Sequence, residues 1–168
     1  MATTATIMVC TGTNAATETA ATNLNLMSID AYDSTGTDYQ SNKIRVPESG
    51  TNYSYERWFR VKFTGTFNEI ENVKVWHSAG TLGDANLDLK AGKTDTGATP
   101  TDSQSTIATT PLTGWDSEGE AIDITPAAGI TSDGDETDYC VLQLEVPDTV
   151  TLRGDIGSQT ITIQYDES

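Results

Sequence analysis

The sequence is poor in basic residues and has no long apolar segment. Its 168 residues contain 25 Asp and Glu against nine Lys and Arg, so the formal net charge at pH 7 is −16. Proteins bind nucleic-acid phosphates mainly through Lys and Arg, and the same negative charge opposes contact with anionic membranes. No apolar run approaches the roughly 18 residues that a membrane-spanning helix needs. We therefore expect neither a nucleic acid nor a membrane as a partner.

Cysteine and histidine, which form most zinc sites, are scarce. The chain has one histidine, His77, and two cysteines, Cys10 and Cys140. Three such residues, widely spaced, do not predict a zinc site, and no nucleophile-elbow motif is present to indicate Ser-His-Asp catalysis. The first basic residue is Lys43, so we expect no secretory signal. Without such a signal the cysteines are typical of small buried apolar residues, with a disulfide as the alternative if their strands adjoin.

Threonine is the most frequent residue, and long helical runs of Leu, Ala, Glu and Lys are missing. Threonine has a stiff, β-branched side chain that favours strands. Apolar and polar residues alternate along much of the chain, which is the pattern of half-buried strands. This alternation predicts strands within Thr4–Cys10, Thr22–Ser28, Asn42–Pro47, Asn52–Gly65, Glu71–Ser78, Ala85–Gly92, Asp138–Val146 and Gln159–Tyr165.

Aromatic and basic residues are concentrated in the middle of the chain. The segment from Asn52 to Gly80 holds seven of the twelve aromatic residues and four of the nine basic ones. Such a segment is either the spine of the fold or a surface where rings and cations meet a ligand. Rings with Arg60 nearby are typical of base-stacking surfaces, but the overall charge disfavours that reading, and aromatic residues most often serve packing.

The alternation within the aromatic segment favours a central core strand. It places Phe59, Val61 and Phe63 on one face of the strand, which we expect to be the core face. Trp58 lies on the opposite face, as does Trp76 in the following strand. We expect these two rings to be covered by a partner, a second sheet or a long loop.

Seven or eight short strands separated by turn-forming residues predict an all-β, single-domain antiparallel β-sandwich, of the jelly-roll or immunoglobulin-like kind. Residues 91–118 are rich in Thr, Ser, Gly, Asp and Pro and predict one long loop. Loops of this length are usually functional or mobile. Residues 1–20 are nearly uncharged and carry strand-forming residues, so they can also form an extended arm that adds a strand to a neighbouring molecule.

Two acidic clusters are the remaining candidates for chemistry. The first consists of Asp133, Asp135, Glu136 and Asp138, and the second of Asp116, Glu118 and Glu120. Hard cations such as calcium favour oxygen clusters, although the first cluster does not fit the EF-hand spacing and acidic turns are usually just solvated. The second cluster contains paired carboxylates, but closeness in sequence does not establish the geometry of a glycosidase site. We therefore predict no enzyme and no cofactor, with calcium as the alternative for the first cluster.

The chain after residue 49 resembles a class of structural proteins from tailed-virus particles. The resemblance lies in an aromatic strand at Glu56–Gly65, a second segment at Phe67–Gly80, a Thr-Pro loop at Thr99–Pro100 and a terminal strand at Ile161–Glu167. It implies a small β-sandwich protein that decorates the capsid or belongs to another part of the head or tail. No active-site signature is part of the resemblance.

The resemblance implies a protein that acts by assembly. We expect it to fold in the host cytoplasm, bind the major capsid protein on the capsid surface, and form a homo-oligomer, with a trimer favoured. Candidate interface residues are Trp58, Arg60, Trp76 and Trp115. The alternatives are a tail or head-fibre component, or a carbohydrate-binding module whose tryptophans stack on sugar rings.

Overall fold

The computed structural model describes residues 3–30 and 38–168, and this part of the chain is almost entirely β-structure. Helical geometry within it is confined to one short α-helix, α1 (Asp38–Ser41), and to single 3-10 turns at Thr13–Ala15, Leu112–Gly114 and Glu118–Glu120. The chain is a single-domain antiparallel β-sandwich, so the predicted fold class is confirmed. The strands are β1 (Thr4–Thr11), β2 (Thr17–Ala20), β3 (Thr51–Tyr53), β4 (Arg57–Thr64), β5 (Ile70–Ala79), β6 (Asp88–Thr94), β7 (Ile122–Asp123), β8 (Tyr139–Pro147) and β9 (Thr160–Glu167).

The larger sheet has the order β2-β1-β4-β8-β6, and all of its neighbouring strands are antiparallel. β3 pairs with residues 145–147 of β8 and β4 pairs with residues 140–142, so these two strands share one edge of β8 while β6 occupies the other. Between them, the Ser54 amide donates to the Leu144 carbonyl at 3.0 Å. β8 therefore pairs with three strands of this sheet.

The smaller sheet has the order β7-β5-β9 and is also antiparallel. Its register shifts between Glu71 and Lys74, where Asn72 has a φ of 53°. The Asn72 side-chain amide donates to Asp166 Oδ2 at 2.7 Å and so ties this irregularity to β9. Bulges of this kind bend a strand and increase its twist.

The main core lies between the two sheets. Phe59, Val61 and Phe63 face inward from the larger sheet, while Val73 and Val75 face them from the smaller one, and all five are buried. This confirms the predicted core face of Phe59, Val61 and Phe63. Other buried members of this core are Ile70, Leu82, Leu87, Leu89, Ala91, Trp115, Ile124, Ile130, Cys140, Leu142, Leu144, Val146 and Val150.

The long loop after β6 covers the outer face of the larger sheet. There Trp58 packs in a second buried cluster with Cys10, Ala15, Ala108 and Val141. Ala108 belongs to the loop, and the loop backbone passes so close to the sheet that a Cβ on Gly92 would lie 1.9 Å from the Ile107 carbonyl oxygen. The sequence predicts that a partner, a second sheet or a long loop covers Trp58, and the structure shows the long loop.

A buried polar network fastens this loop to the sheet. The Ser105 hydroxyl donates to Glu56 Oε1 at 2.6 Å, and its oxygen accepts the amide of Ala108 at 2.9 Å. Gln143, on the outer face of β8, accepts the Ser105 amide at 2.9 Å and donates to the Ser103 carbonyl at 2.7 Å. Glu56, Ser105 and Gln143 are all buried. Buried polar groups that are fully paired fix one arrangement of the chain.

The N-terminal segment is part of the larger sheet. β1 lies between β2 and β4 and pairs with β4 along seven residues, from Thr4 opposite Thr64 to Cys10 opposite Trp58. Residues 4–20 therefore contribute β1 to the interior of this sheet and β2 to its edge, whereas the sequence allowed an extended arm over residues 1–20. The uncharged Thr, Ile and Val that suggested the arm are used for pairing within the chain.

The strands predicted at Thr22–Ser28 and Asn42–Pro47 are wrong. Residues 22–28 have no ladder partner among the described residues, although Leu24 and Leu26 pack against the main core. The carbonyl of Met27 accepts one backbone hydrogen bond, from Tyr55 at 2.9 Å. The alternating pattern of apolar residues indicates which side chains are buried. Leu24 and Leu26 are packed against the core although their segment forms no strand.

The two cysteines are free thiols, as expected for small buried residues. Cys10 is paired with Trp58 across β1 and β4, and Cys140 is paired with Phe59 across β4 and β8. Neighbouring residues of a strand point to opposite faces, so the thiols lie on opposite faces of the sheet and cannot form a disulfide. Burial raises the pKa of Cys140 to about 12, and burial together with the nearby Glu18 carboxylate raises that of Cys10 to about 12.

Candidate interaction surface

Two of the four predicted interface residues lie in the interior. Trp58 and Trp115 both have 0% exposure. The Trp58 indole donates to Glu56 Oε2 at 2.9 Å, and the Trp115 indole donates to the Leu89 carbonyl at 3.1 Å. Buried indoles with a paired N–H serve packing. Neither ring is accessible to a partner or a sugar. The long loop covers Trp58, and Trp115, which belongs to the same loop, packs in the main core.

Arg60 is partly accessible, but its charge is used within the fold. Its guanidinium forms ion pairs with Glu18 on β2 and with Glu136, the latter at 2.6 Å. Lys62 contacts the same Glu136 at 3.2 Å, and the Arg60 guanidinium lies 4.9 Å from the centre of the Tyr139 ring. Arg60 thus joins β2, β4 and the start of β8.

Trp76 is the predicted interface residue that reaches the surface. It is half-buried on the outward face of β5, opposite Thr162 of β9. Lys74 lies opposite Gln164 on the same face, and Ser78 accepts a hydrogen bond from the Thr162 hydroxyl at 2.7 Å. We call these five residues the outer patch. It presents one indole ring on the outer face of the smaller sheet, surrounded by amide, hydroxyl and ammonium groups.

The outer patch continues to an open sheet edge formed by β9. This strand pairs with β5 on one side, and no backbone hydrogen bond on its other side is made by the part of the chain that the structure describes. Ile161, Ile163 and Tyr165 face the core and remain partly exposed at this edge. An unpaired edge with free N–H and C=O groups is a template for another strand.

The carboxylates of the predicted calcium cluster are used for structure. Asp133 Oδ1 accepts the Gly65 amide at 2.8 Å, and Asp135 Oδ2 accepts the amides of Thr131 and Ser132 at 2.9 and 2.8 Å. The Asp135 bonds close the turn that precedes β8, and the Asp133 bond ties this turn to the end of β4. Carboxylates that accept backbone amides in this way are typical of tight turns.

The other two carboxylates of the cluster face basic side chains. Glu136 binds Arg60 and Lys62, and Asp138 lies 3.8 Å from Lys93. Partial burial raises the pKa of Asp138, although Lys93 acts in the opposite direction. No group of three or more His, Cys, Asp or Glu in residues 3–30 and 38–168 is arranged to hold a metal ion. The calcium alternative is therefore not supported by the geometry of this turn.

The carboxylates considered for glycosidase chemistry lie on an exposed turn. Asp116, Glu118 and Glu120 are all exposed, and the latter two begin and end a single 3-10 turn. His77 is buried nearby on β5, where its Nε2 lies 2.9 Å from Gln159 Oε1 and its ring meets the edge of Trp115. This arrangement contains no cleft in which two carboxylates flank a substrate.

Two open clefts in the described part of the chain differ in their lining. One of about 440 Å³ lies between the segments before and within β3 and contains Lys43, Arg45, Tyr53 and Asp102. A second of about 410 Å³ lies beside the turn from Gly80 to Ala85. The first is lined by polar and charged side chains and can hold a small polar or anionic molecule, whereas the second is lined mainly by the apolar side chains of Leu82, Leu87 and Leu112.

The comparisons with known proteins leave the surface as the main guide to function. No protein-family model matches the sequence, and no curated protein or solved structure is significantly similar to it. None of the helices in the described ranges is long and apolar enough to cross a membrane.

Proposed function

We propose that this chain is a non-enzymatic structural protein of a tailed-virus particle, and that it decorates the capsid by binding the major capsid protein. The observation that carries the proposal is the nature of the accessible surface. Its distinctive features are a half-buried tryptophan on the outer face of the smaller sheet and an open strand edge beside it. Surfaces with an aromatic anchor suit contact with another protein.

The resemblance to virion proteins supports the same proposal. Its segments coincide with the framework of the sandwich, since Glu56–Gly65 spans β4, Phe67–Gly80 spans β5 and Ile161–Glu167 lies in β9. The resemblance thus concerns the strands of both sheets, and the outer patch lies on two of them.

The proposed setting is the outer capsid surface, reached after the chain folds in the host cytoplasm. Copies bound to a capsid would be arranged around a local three-fold or similar axis. A net charge of −16 keeps the free protein soluble and away from the viral genome until it meets its binding site.

The test is binding to capsids that lack the protein. We expect the purified chain to add density to the capsid surface in electron microscopy, and Trp76→Ala to weaken binding by at least about tenfold, which is the usual scale for an aromatic hot spot. Val46→Ala is the matched control, because Val46 is 41% exposed and lies outside the outer patch. The proposal fails if particles with and without this chain are identical, or if both variants bind equally.

A carbohydrate-binding module is the second candidate, favoured by the surroundings of Trp76. The hydroxyls of Ser78 and Thr162 and the ammonium of Lys74 lie on the same face as the ring. A ring beside hydroxyl donors is a common arrangement for holding a sugar. Glycan-array binding that disappears in Trp76→Ala but persists in Val46→Ala would favour this function, which a head-fibre or tail component can also carry.

A further inference from the structure

Within the described ranges, β9 is the long open edge of the molecule, and no charged residue lies before its last two positions. It has eight residues, TITIQYDE, with β-branched or aromatic residues at most positions and neither proline nor lysine. Natural proteins usually protect such edges with Lys, Pro, bulges or covering segments.

The other edges in the described part of the chain are short or covered. β2 has four residues and β7 has two. The outer edge of β6 is closed at its centre, because Ala91 and Thr110 exchange two backbone hydrogen bonds of 3.0 Å. β6 also carries Lys90 and Lys93. Among the edges in the described ranges, β9 is the one that is both long and uncovered.

We propose that two copies of this chain pair antiparallel through β9, forming one continuous six-stranded sheet, β7-β5-β9-β9-β5-β7. In the proposed register Ile163 lies at the centre of the pairing, and each half of β9 pairs with the other half of its copy. In that register Ile163 faces its own copy, Ile161 faces Tyr165, and Thr162 faces Gln164. All apolar residues of the edge then meet apolar residues, because a symmetric register about an odd position keeps odd residues on one face.

The positions of the charges favour the antiparallel arrangement. Both carboxylates of β9, Asp166 and Glu167, lie at its C-terminal end. An antiparallel pair about Ile163 places Asp166 opposite Thr160 and moves the two acidic ends to opposite ends of the interface. A parallel pair would set each carboxylate beside its own copy, and like charges directly opposite each other are destabilising.

The net charge sets the conditions under which this contact forms. Each copy carries −16, so association is opposed at low ionic strength and strengthened as salt screens the repulsion. The proposed contact belongs to the free protein and does not rest on the proposed capsid role.

Sedimentation velocity of the full chain tests the pairing. We expect a species of twice the 18.0 kDa chain mass in a concentration series, and tighter association from about 0.1 M to about 1 M NaCl as the Debye length falls from about 10 Å to about 3 Å. Mass that stays at one copy in all conditions, or a species of three copies, would overturn the two-fold pairing.

Paired charge substitutions test the register. Thr162 and Gln164 point outward, so changing them leaves the core intact, and circular dichroism checks the fold. We expect T162D/Q164D to weaken association by about tenfold, because it puts like charges opposite each other twice, and T162K/Q164D to restore it. Equal association of the two variants would refute the proposed register, whatever the result of the capsid-binding test.

Discussion

Asp84 fastens the turn before β6 to the segment after β8. Its Oδ2 accepts the amides of Thr151 and Leu152 at 2.8 and 3.1 Å and the Thr151 hydroxyl at 3.1 Å, while its Oδ1 accepts the Asn86 amide at 2.9 Å. These hydrogen bonds, that from Asn86 first, hold the pKa of the Asp84 carboxyl well below its ordinary range. The folded state therefore favours the ionised form.

A depressed pKa makes the contribution of Asp84 depend on pH. Stability from the ionised carboxylate is fully present above the unfolded pKa of about 3.9 and is lost as pH falls toward the folded value. We expect Asp84→Asn to lower the urea midpoint at pH 7, and the difference from wild type to shrink below about pH 4. Urea unfolding over a pH series measures this. Asp116→Asn is the control, since Asp116 is exposed, and a gap for Asp84→Asn that is independent of pH would contradict the argument.

The environment of single residues could be predicted from sequence only where a strand pattern governs it. Phe59, Val61 and Phe63 follow from alternation, because one face of a central strand must be buried. Trp115 does not, since it lies in a loop with little apolar content and is buried by reaching Leu89 across the fold. The same holds for Asp84, whose partners lie 67 and 68 residues further along the chain.

At the scale of elements, the long loop behaves as a second covering layer. It spreads over the outer face of β4, β8 and β6 and buries Trp58 beneath Ala108. The buried contacts of Ser105 with Glu56 and Gln143 hold it there. A sandwich normally leaves such a face to solvent, so this loop explains why β8 is buried on both faces.

Substitution of Gly92 tests how tightly the long loop packs on β6. Its backbone has ordinary geometry, so the barrier to a larger residue is space: a Cβ there would lie 1.9 Å from the Ile107 carbonyl oxygen. We expect Gly92→Ala to lower the free energy of unfolding by about 1–3 kcal/mol, the usual range for overpacking. Hydrogen exchange in residues 105–110 should also become faster.

Gly119→Ala is the matched control for this change. A Cβ at Gly119 meets nothing within 4 Å, so its effect should stay within about 0.5 kcal/mol, as for ordinary surface substitutions. If Gly92→Ala leaves hydrogen exchange in the loop unchanged, the close contact between loop and strand is not what holds the loop.

The elements that the sequence predicts correctly are those in which an alternating pattern also has a ladder partner. β1, β4, β5, β6, β8 and β9 are of this kind. The segment Thr22–Ser28 has the same pattern without a ladder partner, and no local feature distinguishes it. For the surface, the pattern places Trp76 outward correctly, but it cannot reveal that β9 ends a sheet, because strand order is decided by the packing of the whole chain.

At the scale of the whole molecule, negative charge exceeds the available ion pairs. The ion pairs found in the described ranges use Arg60, Lys62, Lys90 and Lys93, against 25 Asp and Glu in the chain. Most carboxylates therefore repel one another across the surface. Self-repulsion of this kind opposes the compact state, whereas the surface ion pairs each contribute at most about 1 kcal/mol.

The balance of these two effects predicts how salt changes stability. Because repulsion among unpaired carboxylates outweighs the few ion pairs, raising NaCl from about 0.1 M to about 1 M should raise the melting temperature. A gain of about 1 kcal/mol corresponds to about 2–4 °C for a chain of this size. Differential scanning calorimetry at low protein concentration measures the shift, and the weakly associating T162D/Q164D variant separates it from the effect of pairing.

Sucrose, which strengthens apolar burial without screening charge, should act equally on this chain and on a neutral β-sandwich, whereas NaCl should favour this chain. A melting temperature that falls with NaCl would mean that the network around Arg60 and Glu136 stabilises the fold more than the excess charge opposes it.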